Sequence, residues 1–283
     1  MLAQIAAEAT VQLRTPVQSA WNQRWLVELR DGAAVECVLY RGDTLCVSSQ
    51  VGCAVRCPFC ASGKDGLSRP LRLDELIGQL RAVQALGHSL QRVAVSGVGE
   101  PLHNADAVQQ FLDFCRSERL GMSLTTSGGP LPRLRQFLHA PHNGLTLSIH
   151  AGSQAVRARM LPHAPDLDAL FAALAEELPR MTGKRRKKTA LAYLAIDGQN
   201  DSAAEIDAFI ARAAPLALPV HLYTYNPIDA NGGGRIERER YEAIHARMLR
   251  AGLIVRMSSQ ARIESNGGCG TLIASHSLRR TRS

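Results

Sequence analysis

From residue 92 onward, short apolar runs alternate with longer stretches in which apolar residues return every three or four positions. The runs Arg92–Val98, Met122–Thr126, Leu145–Ile149, Thr189–Ile196, Val220–Tyr225 and Leu253–Met257 read as strands, and the stretches 73–86, 105–119, 131–139, 166–180, 203–213 and 236–251 as amphipathic helices. Asp74, Asp166 and Ser202 stand near helix starts, where capping side chains belong. Such alternation means parallel strands joined by right-handed crossovers, in an open sheet or a barrel. With the apolar run that precedes residue 50, six or seven units fit an incomplete (β/α)6 barrel of the TIM type. Upstream, residues 1–25 read as a helix with Trp21 and Trp25 four apart on one apolar face. Asp31-Gly32, between Trp25–Arg30 and Ala34–Tyr40, is a two-residue hairpin signal. Glu36 and Cys37 are strand neighbours and must face opposite ways. The expected division is a helix-and-hairpin extension over 1–40 and an α/β barrel over 41–283 that ends in a loop and a basic tail.

A chain of 283 residues with 46% hydrophobic content can bury one large core. Seven cysteines without a signal peptide point to a reducing compartment, so the expected location is cytoplasmic. No apolar run reaches the length of a membrane span, and a monomer is expected. The formal charge of +8 favours a polyanionic partner, with excess charge in Lys184-Arg185-Arg186-Lys187-Lys188 and Arg279-Arg280-Thr281-Arg282. The ordinary alternative for both runs is a solvated loop and a solvated tail.

Chemistry concentrates at Cys53, Cys57 and Cys60, a C-x3-C-x2-C loop just past a strand-like run, with Cys46 seven residues upstream. Three thiolates from one short loop can hold three irons of a [4Fe-4S] cluster and leave the fourth open to a substrate ligand. Structural zinc is the competing reading of Cys57-Pro-Phe-Cys60, but it needs a fourth ligand, usually from a second C-x2-C or a His pair, and none follows. Active sites of parallel α/β proteins lie at the carboxyl ends of strands. There this chain carries Gly97-Val-Gly99-Glu100-Pro101-Leu102, Thr125-Thr126-Ser127-Gly128-Gly129, Ser148-Ile149-His150 and Tyr225-Asn226-Pro227. Glycines let backbone approach a ligand, Glu100 can accept from an amine, and hydroxyls can bind ribose.

The cysteine loop resembles that of the radical S-adenosylmethionine (SAM) superfamily. Together with Leu45-Cys46-Val-Ser-Ser-Gln-Val-Gly-Cys53, the strand-end motifs above and Cys269-Gly-Thr-Leu, it makes the chain from about Val35 to Leu272 similar to the RNA adenine methyltransferases of the RlmN/Cfr family. The resemblance implies one [4Fe-4S] cluster on Cys53, Cys57 and Cys60, with SAM contacts from Gly99, Glu100, Thr125, Ser148, Ile149, His150 and Asn226. It further implies that Cys269 receives a methyl group from one SAM and that Cys46 later closes a transient disulfide with it. Glu36 stands where the family has a proton acceptor. The implied activity is methylation of an adenine ring carbon, C2 or C8, in ribosomal or transfer RNA, with an external electron donor. Departures lie around Cys269, where Gly267-Gly268 precedes the thiol, and in the short stretch ahead of the match, where the family's ribosomal enzymes carry an accessory RNA-binding domain. A barrel of this kind acting on a non-RNA substrate and a non-catalytic metal-dependent RNA-binding module are the competing functions. Cys37 and Cys115 read as buried small apolar residues.

Overall fold

The computed structural model describes residues 11–14, 16–227 and 234–259. In chain order the strands are β1 (Val11–Leu13), β2 (Val17–Gln18), β3 (Asn22–Leu29), β4 (Ala34–Tyr40), β5 (Thr44–Val47), β6 (Gln50–Gly52) and β7 (Leu67–Pro70). Helix α1 (Leu73–Ala85) leads to β8 (Arg92–Val95), α2 (Ala105–Ser117), β9 (Gly121–Thr126), α3 (Leu131–His139) and β10 (Gly144–Ser148). Three helices, α4 (Gln154–Met160), α5 (Leu167–Glu177) and α6 (Gly183–Arg186), precede β11 (Thr189–Asp197). Then come α7 (Ala203–Ala213), β12 (Val220–Thr224), β13 (Gly234–Arg235), α8 (Arg238–Arg250) and β14 (Val255–Met257).

Parallel pairings run without a break through β5, β8, β9, β10, β11, β12 and β14, and helices carry the crossovers between them. At the β5 edge the sheet continues antiparallel through β4, β3 and β1. This is the expected α/β partial barrel with a hairpin extension. The helix expected over residues 1–25 is not found in its described part, where Val11–Leu13, Val17–Gln18 and Asn22–Leu29 are strands. Trp25, within β3, is buried, while Trp21, just ahead of that strand, is half exposed. Residues 1–10 lie outside the described residues.

Strand period sorts the side chains into two sets. Facing the helices are Trp25, Cys37, Leu39, Leu45, Val47, Val93, Val95, Met122, Leu124, Leu145, Leu147, Leu191, Val220 and Leu222, all in one continuous core. Cα partners across the sheet put Arg24 with Val38, Val38 with Cys46, Cys46 with Ala94, and Ala94 with Ser123 on the opposite, inner face. Glu36, Thr125, Thr146 and Ser148 share that face by the same registers. Glu36 and Cys37 are both fully buried but on opposite sides, as their adjacency required.

Helix ends follow local chemistry. Ser202 caps α7 by accepting from the Glu205 N–H at 3.3 Å. Asp74 lies inside α1, whose start is instead closed by the Glu75 carboxylate accepting from the Arg72 N–H at 2.8 Å. Asp166 precedes α5 and spends its carboxylate on the Gln154 side chain at 2.7 Å. The basic run Lys184–Lys188 precedes β11 and so lies at the amino ends of the parallel strands. Within it, Arg185 is structural, donating to the carbonyls of Ala140 at 2.7 Å and His142 at 2.5 Å. No described helix is long and apolar enough to cross a membrane.

Candidate active site

The cysteine loop leaves the carboxyl end of β5 and is bracketed by the β6–β7 hairpin. Its root is Ser48, whose backbone N–H donates to the Gln79 side-chain oxygen at 2.9 Å and whose carbonyl accepts from the same amide at 3.1 Å. The Ser48 hydroxyl donates to the Glu36 carbonyl at 2.6 Å and accepts from the Val98 N–H at 2.9 Å. One buried serine therefore ties α1, β4 and the loop after β8 to the root of the cysteine loop. At Gly99, φ is +112° and an added Cβ would lie 2.8 Å from the Gln50 nitrogen. Close packing of loop on loop therefore requires glycine here.

Cys53, Cys57 and Cys60 border one cavity of about 150 Å³, and Gly99, Glu100, Thr125, Ser148 and His150 line the same cavity. Eight of the expected site residues thus meet in one place. The loop seats there through an apolar cluster of Cys53, Val55, Met160, Leu161, Ile196 and Tyr225, with Phe59 edge-on to His150 at 5.7 Å. Burial pushes the Cys53 thiol up to about 11, and neighbouring Cys60 adds to the shift. Burial also raises Cys57 well above its ordinary range, with Cys60 and Cys53 contributing. Cys53 and Cys57 thus resist ionisation in isolation, and with Cys60 beside them they call for a polycationic partner to share. Among the described residues no three His, Cys, Asp or Glu side chains close around a single metal ion. Three thiols from one short loop are the donor set that a four-iron cluster with one open iron takes, so the residues fit that group.

Glu100 is buried and accepts three hydrogen bonds. They come from the Leu102 N–H at 3.1 Å, the Thr126 hydroxyl at 2.5 Å and the Ser127 N–H at 2.7 Å. His150 has φ +57°, and its Nδ1 accepts from the Leu194 N–H at 3.0 Å, which leaves the ring proton on Nε2. Burial, helped by the charge of Arg157, lowers the ring to about 3, so it is a neutral N–H donor at pH 7. Asn200 fixes this turn by donating to the carbonyls of His150 at 2.8 Å and Leu194 at 2.7 Å while accepting from the Ile196 N–H at 2.9 Å. Arg157 on α4 donates to the carbonyls of Ser148, Ile149 and Ser127 at 2.5, 2.8 and 2.7 Å. Desolvation lowers this buried guanidinium to about 10, and it remains a cation at pH 7.

Ile149 and Asn226 are not among the cavity-lining residues. The Ile149 side chain lies in the main core, its N–H donates to the Ala192 carbonyl at 3.0 Å, and its own carbonyl is held by Arg157. Asn226 follows β12 and is partly exposed. Cys46 is buried on the inner face with its Sγ 3.2 Å from the hydroxyl of Ser96, a cavity-lining residue. Glu36 lies on the adjacent strand, two residues from Val38, the partner of Cys46. Cys269 is outside the described residues. Cys37 and Cys115 are core residues as expected, with burial raising both thiols, Cys115 to about 12. Motif reading missed Ser48, Gln79, Arg157 and Asn200, which hold the loops from behind the cavity.

A partial barrel with three thiols and a set of polar strand ends around one cavity defines a class. Residues 47–210 match the family model of the radical SAM superfamily. The chain is 33% identical over 273 residues to a probable RNA methyltransferase of Aromatoleum aromaticum, covering 94% of this chain and 75% of that one. It is 35% identical over 287 residues to one of Ectopseudomonas mendocina, covering 95% and 79%. Its fold is similar to a radical SAM methyltransferase from Sphaerobacter thermophilus, with a TM-score of 0.81 at 28% identity over 95% of this chain and 84% of that one. The SAM-bound SuiB of Streptococcus suis shares the fold at TM-score 0.59 and 14% identity, covering 78% of this chain and 52% of that one. The chain belongs to the radical SAM superfamily and, within it, to the family of these curated relatives.

Proposed function

We propose that this chain methylates an adenine ring carbon of ribosomal or transfer RNA through a methylated Cys269 and a transient Cys46–Cys269 disulfide. The observation that carries the reading is Cys46. It is a thiol beyond the cluster set, buried on the inner face, one hydrogen bond from the cavity wall and on the strand next to Glu36. The names of the curated relatives and the formal charge of +8 support RNA as the substrate class.

Cys53, Cys57 and Cys60 would hold the [4Fe-4S] cluster, with Glu100 and the hydroxyls of Thr125 and Ser148 turned to SAM. When bound, cluster and SAM supply a 5′-deoxyadenosyl radical able to take a hydrogen atom from a methyl group. The Cys269 thiolate is the nucleophile that receives that methyl from a first SAM and carries it to the base as a thioether. The methyl carbon, short of that hydrogen atom, bonds to the adenine ring carbon, and the adduct would give up one electron to the oxidised cluster and its ring proton to Glu36. The Cys46 thiolate then attacks the thioether sulfur: the S–S bond forms, the sulfur–carbon bond breaks with its electron pair going to the methylene carbon, that carbon takes a proton to become methyl, and methyladenine leaves with a disulfide behind that an external reductant resets.

The test uses Cys46→Ala, reconstituted without oxygen, with labelled RNA, SAM and reductant. An adduct should run with the protein on denaturing gels and be absent when Cys269→Ala is added. Normal turnover by Cys46→Ala, or an adduct that persists without Cys269, overturns the two-thiol reading. Cellular RNA whose methylated adenines are unchanged on loss of the protein would direct the same barrel to a non-RNA substrate.

A further inference from the structure

Ser127 was named in the sequence only as part of a turn motif, yet its backbone is gripped from both sides. The Ser127 N–H donates to Glu100 Oε2 at 2.7 Å, and the Ser127 carbonyl accepts from Arg157 at 2.7 Å. The residue is 5% exposed and lines the cavity that Cys53, Cys57 and Cys60 border. Its hydroxyl is buried and has no hydrogen-bond partner. A buried hydroxyl without a partner costs free energy, and such groups in folded proteins find one in water or in a ligand. Here two charged side chains fix the peptide of a cavity-lining residue whose one unspent polar atom is the hydroxyl. A strained or misplaced serine would instead leave its backbone groups unmet, and these are both met.

We infer that the Ser127 hydroxyl is a direct contact for the aminoacyl end of SAM, held for that purpose by Glu100 and Arg157. The site rests on the SAM reading above and adds a residue to it. Position decides which end of the ligand is meant. The cavity of about 150 Å³ is smaller than a pocket for a whole drug-sized ligand, roughly 300 Å³ or more, so it takes one end of SAM. That end lies among the three cysteine thiols, where a ligand to the open iron must approach, and beside Glu100, whose Oε2 takes one protein N–H and keeps capacity for an amine. A hydroxyl next to this carboxylate can donate to the ligand carboxylate or accept from its ammonium group.

The experiment compares wild type and Ser127→Ala, both anaerobically reconstituted, by equilibrium binding of SAM, of methionine and of 5′-deoxyadenosine, which lacks the aminoacyl group. Loss of one ligand hydrogen bond should weaken SAM and methionine about five- to tenfold and leave 5′-deoxyadenosine unchanged. Melting of the same variants without ligand should be unchanged or slightly raised for Ser127→Ala, because no protein hydrogen bond is lost. Equal SAM affinity in both proteins overturns the contact, as does a lower melting temperature of the variant, which would give the hydroxyl a protein partner. Parallel loss of 5′-deoxyadenosine affinity overturns the aminoacyl assignment. Failure of wild type itself to bind SAM would count against the functional reading, not against Ser127.

Discussion

Glu100→Gln separates what Glu100 does for the fold from what it does for a ligand. In the protein Oε1 accepts from the Leu102 N–H and the Thr126 hydroxyl, and Oε2 accepts from the Ser127 N–H. A glutamine amide has one acceptor oxygen. Placed at the Oε2 position, it turns an NH2 group toward the Leu102 N–H; placed at the Oε1 position, it turns that group toward the Ser127 N–H. Thr126 can reverse its hydroxyl, but neither backbone N–H can. One buried donor is stranded in either orientation, which costs about 1–3 kcal/mol, and the surviving bonds lose their charge assistance at about 1 kcal/mol more. The expected loss of about 3 kcal/mol corresponds to a melting drop of about 5–10 °C for a chain of this size. Thermal and urea unfolding of the cluster-free protein measure it. A melting temperature within about 1 °C of wild type would refute the claim that Glu100 holds the ends of β8 and β9 together. SAM affinity should also fall at temperatures where the variant is folded.

Two further outcomes follow from charge and burial. His150 is lowered to about 3 and His142 to about 4, both chiefly by burial. The unfolded chain therefore binds more protons than the native one below about pH 6.5, so stability is complete above that pH and falls as pH drops toward these values, by about 1.4 kcal/mol per pH unit for each histidine. Urea midpoints measured between pH 7 and pH 5 should fall accordingly, and an unchanged midpoint would mean that water reaches and protonates these rings in the folded protein. Replacing Lys184, Arg186, Lys187 and Lys188 by Gln should leave SAM affinity unchanged, since the run lies at the barrel end away from the cavity. It should lower RNA affinity and flatten its salt dependence, and an unchanged salt slope would mark the run as solvated surface only.

The sequence displayed the barrel because each unit repeats a strong signal: a run such as Leu145–Ile149 puts an apolar residue at every second position, and helices such as 105–117 carry a clear polar face. Residues 1–25 misled because a spacing of four puts two side chains on one face of a helix and on one face of a strand alike, and pairing of Asn22–Glu28 to β4 decided the matter. The seven-residue α4 is too short for periodicity to register, and with it went Arg157. Cysteines, glycines and the Glu100 motif were legible because their spacing is itself the chemistry. Ser48, Gln79 and Asn200 were not, because each works through partners 12 to 50 residues away or through a turn whose shape only the fold defines.

The boundary of the shared domain sharpens the proposed division of labour. Residues 47–210 carry the match to the superfamily and contain Cys53, Cys57, Cys60, Glu100, Thr125, Ser148 and His150, which line the cavity, and Arg157, which holds its loops from behind. Glu36, Cys46 and Cys269, the groups proposed to handle the methyl carbon and the ring proton, all fall outside it. On the proposed reading, radical generation falls mainly to the common part, with Asn226 beyond it, and substrate chemistry to the segments on either side. The two must still be held to a fixed spacing, because a carbon radical reacts with whatever lies next to it. Ser48 provides that joint on the amino side. It bonds the Glu36 carbonyl and the Val98 N–H with one hydroxyl, so the antiparallel strand that carries Glu36 cannot shift without moving the loop that carries Glu100.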